Sequence, residues 1–432
     1  MTEFARRLTL FDVFCLGVNS IIGSGIFLFP GKLAKAAGPS SIFAFFVCGL
    51  LLVTVALCYA EMAGICKRNG GAYVYAREAF GEKVGFVVGW IALLTSVFSC
   101  ATVASALSSY LGYFNPVFET PLVAKGLACS LLVVFTAINF IGVKQGAYTV
   151  NFFTVAKILP LLLFVVMGLF HLNGANYQPL LDVTPEVVST AIFLCLWPLQ
   201  GFESTPVIAG ETKNPNRDIP LATMGSLLVV TVFYSLIQIV AVGTLPGLAT
   251  SQKPLAEAAA TFMGPIGASL IALGAFVSMT GYLSGNTLGC PRYLEALAED
   301  GFLPRSLAAA HQKFMTPYRS IVLTASVSIT MIIFLDFKRL VDISTMAVIS
   351  QYLATCAGVI WLRFKEPTRE RAFRIPGGIS LPILGCLISI WLVNKVQGNE
   401  MIFTLICIVL GIVLSVIYQQ VQKNQTATEA SV

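Results

Sequence analysis

Twelve apolar runs, each bounded by charges, Pro or Gly, divide this chain at about 10–36, 42–65, 84–113, 122–142, 150–170, 187–210, 222–244, 264–289, 319–335, 340–362, 380–396 and 401–421. A helix needs about 20 mostly apolar residues to cross a bilayer core. Only helices and closed barrels satisfy every backbone N–H and C=O there. Runs of this length point to helices, so the expected fold class is an all-α polytopic membrane protein of twelve transmembrane helices. Composition agrees. The 27 Lys and Arg and 21 Asp and Glu make only 11% of 432 residues charged, against roughly 25% in soluble domains. The mean hydropathy is +0.83.

The same charges orient the spans. With the N-terminus in the cytoplasm, seven of the 27 basic residues fall on the outer side, namely Lys32, Lys35, Lys125, Lys253, Lys338, Arg339 and Lys395. Lys157 sits inside a span, and the other nineteen, from Arg6 to Lys423, fall on the inner side. The positive-inside rule then puts both termini in the cytoplasm of a multi-pass cell-membrane protein. The net charge of +6 is therefore loop anchoring and not a nucleic-acid patch. Eleven cysteines lie mostly in apolar runs without CxxC spacing and read as small buried hydrophobes. With only His171 and His311, far apart, no metal site is expected, and no cofactor is implied. Met1 to Arg7 lacks the layout of a signal peptide, so the first span is expected to be retained.

Two spans are interrupted by residues that weaken helices. The first carries Gly23-Ser24-Gly25, and the sixth carries Pro198 followed by Gly201-Phe202-Glu203-Ser204-Thr205-Pro206. Gly23 and Gly201 stand 178 residues apart, and each break opens a set of five spans of similar length. An odd number of spans per unit makes the two units inverted. The expected organisation is one transporter domain over 1–432, with repeat one at about 8–170, repeat two at about 187–363 and two added helices at about 380–421. Paired breaks in inverted repeats mark a midplane binding site in transporters. Close packing of small residues is the alternative reading of Gly-Ser-Gly taken alone.

Backbone accounting says what such a site holds. A broken helix in hydrocarbon strands polar groups that cost several kcal/mol each unless satisfied. N–H groups opening a half-helix favour a carboxylate, and freed carbonyls favour an ammonium. Two facing breaks thus suit the head group common to amino acids.

The residues resemble the amino acid–polyamine–organocation (APC) transporters. The resemblance rests on Gly23-Ser24-Gly25-Ile26-Phe27 with Pro30, on Tyr59-Ala60-Glu61 followed by Gly70-Gly71-Ala72-Tyr73-Val74-Tyr75, on the run from Gly210-Glu211-Thr212 to Asp218-Ile219-Pro220, and on Glu299-Asp300-Gly301-Phe302-Leu303-Pro304. It implies the LeuT-type fold, a 5+5 inverted repeat with broken helices 1 and 6. On this resemblance the substrate-binding candidates are Ile22, Gly23, Ser24, Gly25, Ile26, Trp197, Gly201, Phe202, Glu203 and Asn286. Trp197-Pro198-Leu199-Gln200-Gly201-Phe202-Glu203 is similar to span 6 of arginine/agmatine and other basic amino-acid or polyamine antiporters. There Trp197 would wall the side-chain pocket and stack on a cation, and Glu203 would be a charge partner or proton switch. Lys157 instead resembles the proton-coupled and neutral amino-acid branches, where the amine takes the place of a second sodium. It lies about seven residues in from Val150, about 10 Å at 1.5 Å per residue, too deep for a snorkelling anchor. Intramembrane ionisable groups mark ion or proton paths, so Lys157 and Glu203 are the proton-coupling candidates.

Each site residue has a plainer alternative. Glu203 can cap the broken helix, Trp197 can be packing, and Asn286 or Ser284 can bond a neighbouring helix. Ser96, Ser99 and Cys100 are weaker candidates on span 3. Glu61 is expected in a cytoplasmic-end network, and the basic run from Arg363 to Arg374 is expected as positive-inside anchoring in touch with anionic lipid. The function implied is secondary active amino-acid transport by alternating access, as proton-linked uptake or exchange, with basic substrates slightly favoured. Proton-coupled neutral amino-acid transport and polyamine/amino-acid antiport are the alternatives, and a non-transporting amino-acid sensor is a remote one. Expected partners are substrate, protons and membrane lipid, with the protein a monomer or homodimer. No catalytic constellation points to an enzyme.

Overall fold

The computed structural model describes residues 6–180, 184–334, 337–395 and 398–430. Lys338, Arg339 and Lys423, counted above, lie outside the residues whose side chains are described. The described chain contains α1 Leu10–Ile21, α2 Gly25–Ala37, α3 Ala44–Ala63, α4 Ala72–Phe80, α5 Glu82–Leu111, α6 Pro121–Ile141 and α7 Val143–Leu169. It continues with α8 Pro185–Leu199, α9 Pro215–Thr244, α10 Pro254–Glu299, α11 Tyr318–Phe334, α12 Phe337–Lys365, α13 Ser380–Val393 and α14 Gly398–Ala430. Among the described residues, eight stretches are long and apolar enough to cross a membrane; Leu10–Ile21, Tyr318–Phe334, Ser380–Val393 and Thr404–Gln420 are shorter apolar helices. The chain is an all-helical, multi-pass membrane protein.

Local chemistry sets the helix starts. At Thr9 a capping box opens α1: the Thr9 hydroxyl accepts from the Asp12 N–H, and the Asp12 carboxylate accepts from the Thr9 N–H at 2.8 Å. Proline opens α6, α8, α9 and α10, at the one helical position where its missing N–H costs nothing. The expected run at 264–289 differs from the observed helix. Helix α10 starts ten residues earlier, at Pro254, and turns sharply at Gly264 (φ +65°), a conformation that favours glycine.

In the packing, α3 lies along α9 and α5 along α10, while α7 also packs on α10. These pairs bring spans 2 and 3 against spans 7 and 8. The breaks in spans 1 and 6 are left in the middle of the bundle.

Charges sort by end. Asp300, past the end of α10, takes Arg68 at 2.8 Å and Arg77 at 2.9 Å, and the Tyr73 hydroxyl also donates to it. At the end of α3, Glu61 takes Arg363 of α12 at 2.5 Å and Arg371 at 3.3 Å, and accepts the Ile375 N–H. The other end holds the Lys253–Glu119 pair and the Lys125 amine donating to the Ile333 carbonyl. The expectation for the basic run needs correction at two positions. Arg363 and Arg371 are buried against Glu61, because a buried carboxylate needs cationic partners more than a lipid surface does. Removing one member of a buried pair costs ~3–5 kcal/mol, while an exposed pair is worth ~1 kcal/mol or less. Glu61→Gln should therefore lower the thermal midpoint in detergent well beyond the effect of Arg77→Gln, whose side chain is 30% exposed; equal shifts would count against the clamp.

Candidate functional site

Both interrupted spans break where the sequence weakens them. Helix α1 ends at Ile21 and α2 begins at Gly25. Helix α8 ends at Leu199, Gly201 adopts φ +129°, and the chain continues as a 3-10 segment, Phe202–Glu211. The breaks touch backbone to backbone. A Cβ on Gly25 would lie 2.7 Å from the Pro198 Cα, and one on Gly201 would lie 2.5 Å from the Ser20 carbonyl.

Between them is a cavity of about 50 Å³, room for a few waters or a compact head group. Its wall includes Ser20, Gly23, Ser24 and Gly25 from the first break, and Trp197, Gln200, Gly201, Glu203 and Ser204 from the second. Thr95, Ser96 and Ser99 of α5, Tyr282, Asn286 and Tyr293 of α10, and Gln351 of α12 close it. Hydroxyls and amides dominate this wall.

The protein itself satisfies most of the groups freed at the first break. The Lys157 amine, wholly buried on α7, donates to the carbonyls of Asn19 at 3.2 Å and Ile22 at 2.6 Å. Ser278 of α10 donates to Ile22 and Gly23, both at 3.1 Å, and Tyr234 of α9 donates to Ile21. Left over are the N-terminus of α2, where the first N–H groups have no preceding turn, and the Ser24 hydroxyl, buried without a partner. On the second break, the side-chain amide oxygen of Gln200 is likewise buried without a partner. One side of the cavity thus offers donors, and the other an acceptor beside the last carbonyls of α8.

Glu203 is buried, and one carboxylate oxygen accepts both the Gly201 N–H at 2.8 Å and the Tyr352 hydroxyl at 3.0 Å. It therefore braces the break while facing the cavity. Trp197 also lines it. Asn286 donates to the Ser96 carbonyl and hydroxyl at 2.9 and 3.0 Å, tying α10 to α5. Of the expected site residues, Gly23, Ser24, Gly25, Trp197, Gly201, Glu203 and Asn286 meet at one cavity. Ile22, Ile26 and Phe202 are buried off its wall: Ile22 contributes its carbonyl to Lys157, and Phe202 packs on Tyr59 and Tyr352. Ser284 bonds the Gly281 carbonyl of its own helix, and Cys100 is off the wall while Ser96 and Ser99 are on it.

Sequence reasoning passed over Ser20, Gln200, Tyr282, Tyr293 and Gln351. Gln200 stood inside the interrupted string. Tyr282, Asn286 and Tyr293 repeat at i, i+4 and i+11, one face of a helix. Gln351 had no periodic signal, because its role depends on where α12 lies.

The sequence pattern of the amino acid permease family matches residues 8–428. The chain belongs to that family. It is 28% identical to the methylthioribose transporter of Bacillus subtilis (strain 168), over 97% of this chain and 94% of that protein. The branched-chain amino acid permease BcaP of the same organism is 28% identical over 96% and 93%, and its serine/threonine exchanger SteT is 27% identical over 98% of both chains. The protein is a permease and not an enzyme, and the resemblance to APC transporters holds over nearly the whole chain.

Proposed function

We propose that this permease is a secondary active transporter of small neutral amino acids, proton-linked and working by alternating access. The observation that carries this reading is the cavity shared by the two breaks, with partnerless donors on one side and a partnerless acceptor on the other. The substrate carboxylate sits at the α2 N-terminus beside Ser24, and the ammonium sits by the Gln200 oxygen and the α8 carbonyls. The small volume and the hydroxyl-rich wall favour a short side chain. So does Glu203, one of whose two carboxylate oxygens is already committed to Gly201 and Tyr352.

The rest of the architecture follows as part of the proposal: twelve transmembrane helices, a LeuT-type 5+5 inverted repeat, and both termini in the cytoplasm of the cell membrane. The pairing of α3 with α9 and of α5 with α10 supports the repeat, and the two charged ends support the orientation. Lys157 carries the coupling proton. As an ammonium it pins the end of α1 through two carbonyls; as a neutral amine it holds them more weakly and lets the first break move.

One observation favours a second reading. Glu203 and Trp197 both line the cavity and together could receive a cationic side chain, giving a basic amino-acid or polyamine exchanger. Counterflow in proteoliposomes decides between them, with serine, alanine, arginine and methylthioribose offered in turn at two pH values. We expect serine and alanine to exchange and arginine to be ignored. Because Gln at 203 keeps an acceptor oxygen, Glu203→Gln should change the KM for serine by less than about threefold. Arginine exchange that disappears in Glu203→Gln would establish the second reading, and exchange of methylthioribose alone would overturn both.

A further inference from the structure

Past the central cavity, toward the end of the bundle that holds Asp300, a second small cavity continues between the 3-10 segment and α10. It shares six residues with the first, Ser20, Ser204, Tyr282 and Tyr293 among them, and adds Val207 and Cys290 with two glycines of α10. One turn further along α10 the route is closed by side chains. Arg292 is wholly buried, and its Nε and Nη2 donate to both carboxylate oxygens of Glu211, at 3.0 and 3.3 Å. Its Nη1 donates to the Leu288 carbonyl of its own helix at 2.6 Å. All donors that reach a partner are therefore turned away from the next turn of α10.

On that next turn stands Glu295, 1% exposed, with one carboxylate oxygen that has no hydrogen-bond partner. It is in none of the ion pairs among the described residues. The charged groups facing it are Arg292 and Glu299 from its own helix and Glu211 from the 3-10 segment, with the Asn69 side chain from the 64–71 loop beside it. Two buried carboxylates thus share one guanidinium, and Glu211 has taken it. A buried carboxylate without a cationic partner is among the least stable arrangements in a protein, and binding a proton removes the imbalance.

The 3-10 segment is strapped where it meets α10. Asn69 accepts the Gly210 N–H at 2.9 Å, and the Gly70 N–H donates to the Val207 carbonyl at 3.0 Å. The Arg7 and Leu8 N–H groups donate to the Glu211 carbonyl, so the start of α1 and the end of the 3-10 segment move as one. Opening this end requires Glu211 to leave Arg292 and admits water to Glu295.

We propose that Glu295 is a second proton-binding carboxyl of the transport cycle, protonated while the Glu211–Arg292 latch is closed and releasing its proton to the cytoplasm when the latch opens. The inference rests on the alternating-access reading above. The closed state binds one proton more than the open state, so acid on the cytoplasmic side holds the latch shut and alkali favours opening.

The test is serine exchange in oriented proteoliposomes, with outside pH fixed and inside pH varied, for the unsubstituted protein and for Glu295→Gln and Glu295→Asp. Exchange by the unsubstituted protein should rise severalfold as the inside turns alkaline. Glu295→Gln, a permanent mimic of the protonated acid, should be slow and much less dependent on inside pH, the remaining dependence being that of Lys157, with its outside KM unchanged. Glu295→Asp should keep the dependence with a displaced midpoint. A profile in either variant that superimposes on that of the unsubstituted protein overturns the proposal and leaves the transporter reading standing. If Glu295→Gln does not fold, the Asp midpoint alone decides. Absence of exchange of any amino acid by the unsubstituted protein would overturn the underlying reading and the latch with it.

Discussion

Lys157→Met should abolish accumulation driven by a pH gradient while leaving substrate binding detectable. The amine is wholly buried and donates to the Asn19 and Ile22 carbonyls, two of those freed at the first break. Methionine fills much the same volume with no donor. Ser278 still donates to Ile22, but Asn19 loses the amine. Each lost bond to a charged donor is worth ~1.5–3 kcal/mol. A loss of about 3 kcal/mol in the coupled step corresponds to roughly a hundredfold in rate. The site groups proposed to hold the substrate, Ser24, the α2 N-terminus and Gln200, are not partners of Lys157, so serine should still raise the thermal midpoint of the variant. The decisive comparison sets gradient-driven uptake beside counterflow at equal pH on the two sides. Uptake should vanish, while counterflow is slowed less. If Lys157→Met accumulates serine against its gradient as the unsubstituted protein does, the amine has no part in coupling, and the proton-binding role passes to Glu203 or Glu295.

The fold class was readable because lipid leaves so few solutions for a backbone. Runs of apolar residues located the starts of α1, α6 and α8 to within two residues, while α7 and α9 begin seven residues before theirs, at Val143 and Pro215. The ten residues by which α10 precedes its apolar run were missed for the same reason, since the Pro254 segment is not apolar enough to stand out. At the site, glycine and proline were the legible part. Gly23, Gly25 and Gly201 announce a break without reference to anything else in the chain. What fills the break was not legible. That Lys157, Ser278 and Tyr234 would take the freed carbonyls of residues 19–23 depends on three other helices arriving at the same depth. The same holds for Glu203. Its charge was visible, but its commitment to Gly201 and Tyr352 depends on α12. The identity of Arg292, Glu211 and Glu295 as one cluster was hidden likewise, because 81 residues separate the members of the buried pair.

Gly201→Ala should be the most damaging single-methyl change in the molecule. Two independent costs meet at this position. The residue holds φ +129°, a conformation that costs a residue with a side chain ~1–3 kcal/mol. Its Cβ would also stand 2.5 Å from the Ser20 carbonyl and 2.7 Å from the Ile21 N, both backbone atoms at the end of α1. Backbone cannot rotate away as a side chain tip can, so the breaks must part, and overpacking of this kind costs ~1–3 kcal/mol. Parting the breaks moves Ser24 away from Gln200, the two groups that would have to grip one head group at once. It also pulls the Gly201 N–H off Glu203, at present 2.8 Å away. The combined ~2–6 kcal/mol should appear as a fall in serine counterflow of at least about thirtyfold, together with loss of the serine-induced rise in thermal midpoint. Gly126→Ala is the control, since a Cβ there meets nothing within 4 Å and that glycine lies inside α6, away from both cavities. If Gly201→Ala transports as well as Gly126→Ala, the contact between the two breaks does not shape the binding site, and the head-group assignment drawn from that contact fails with it.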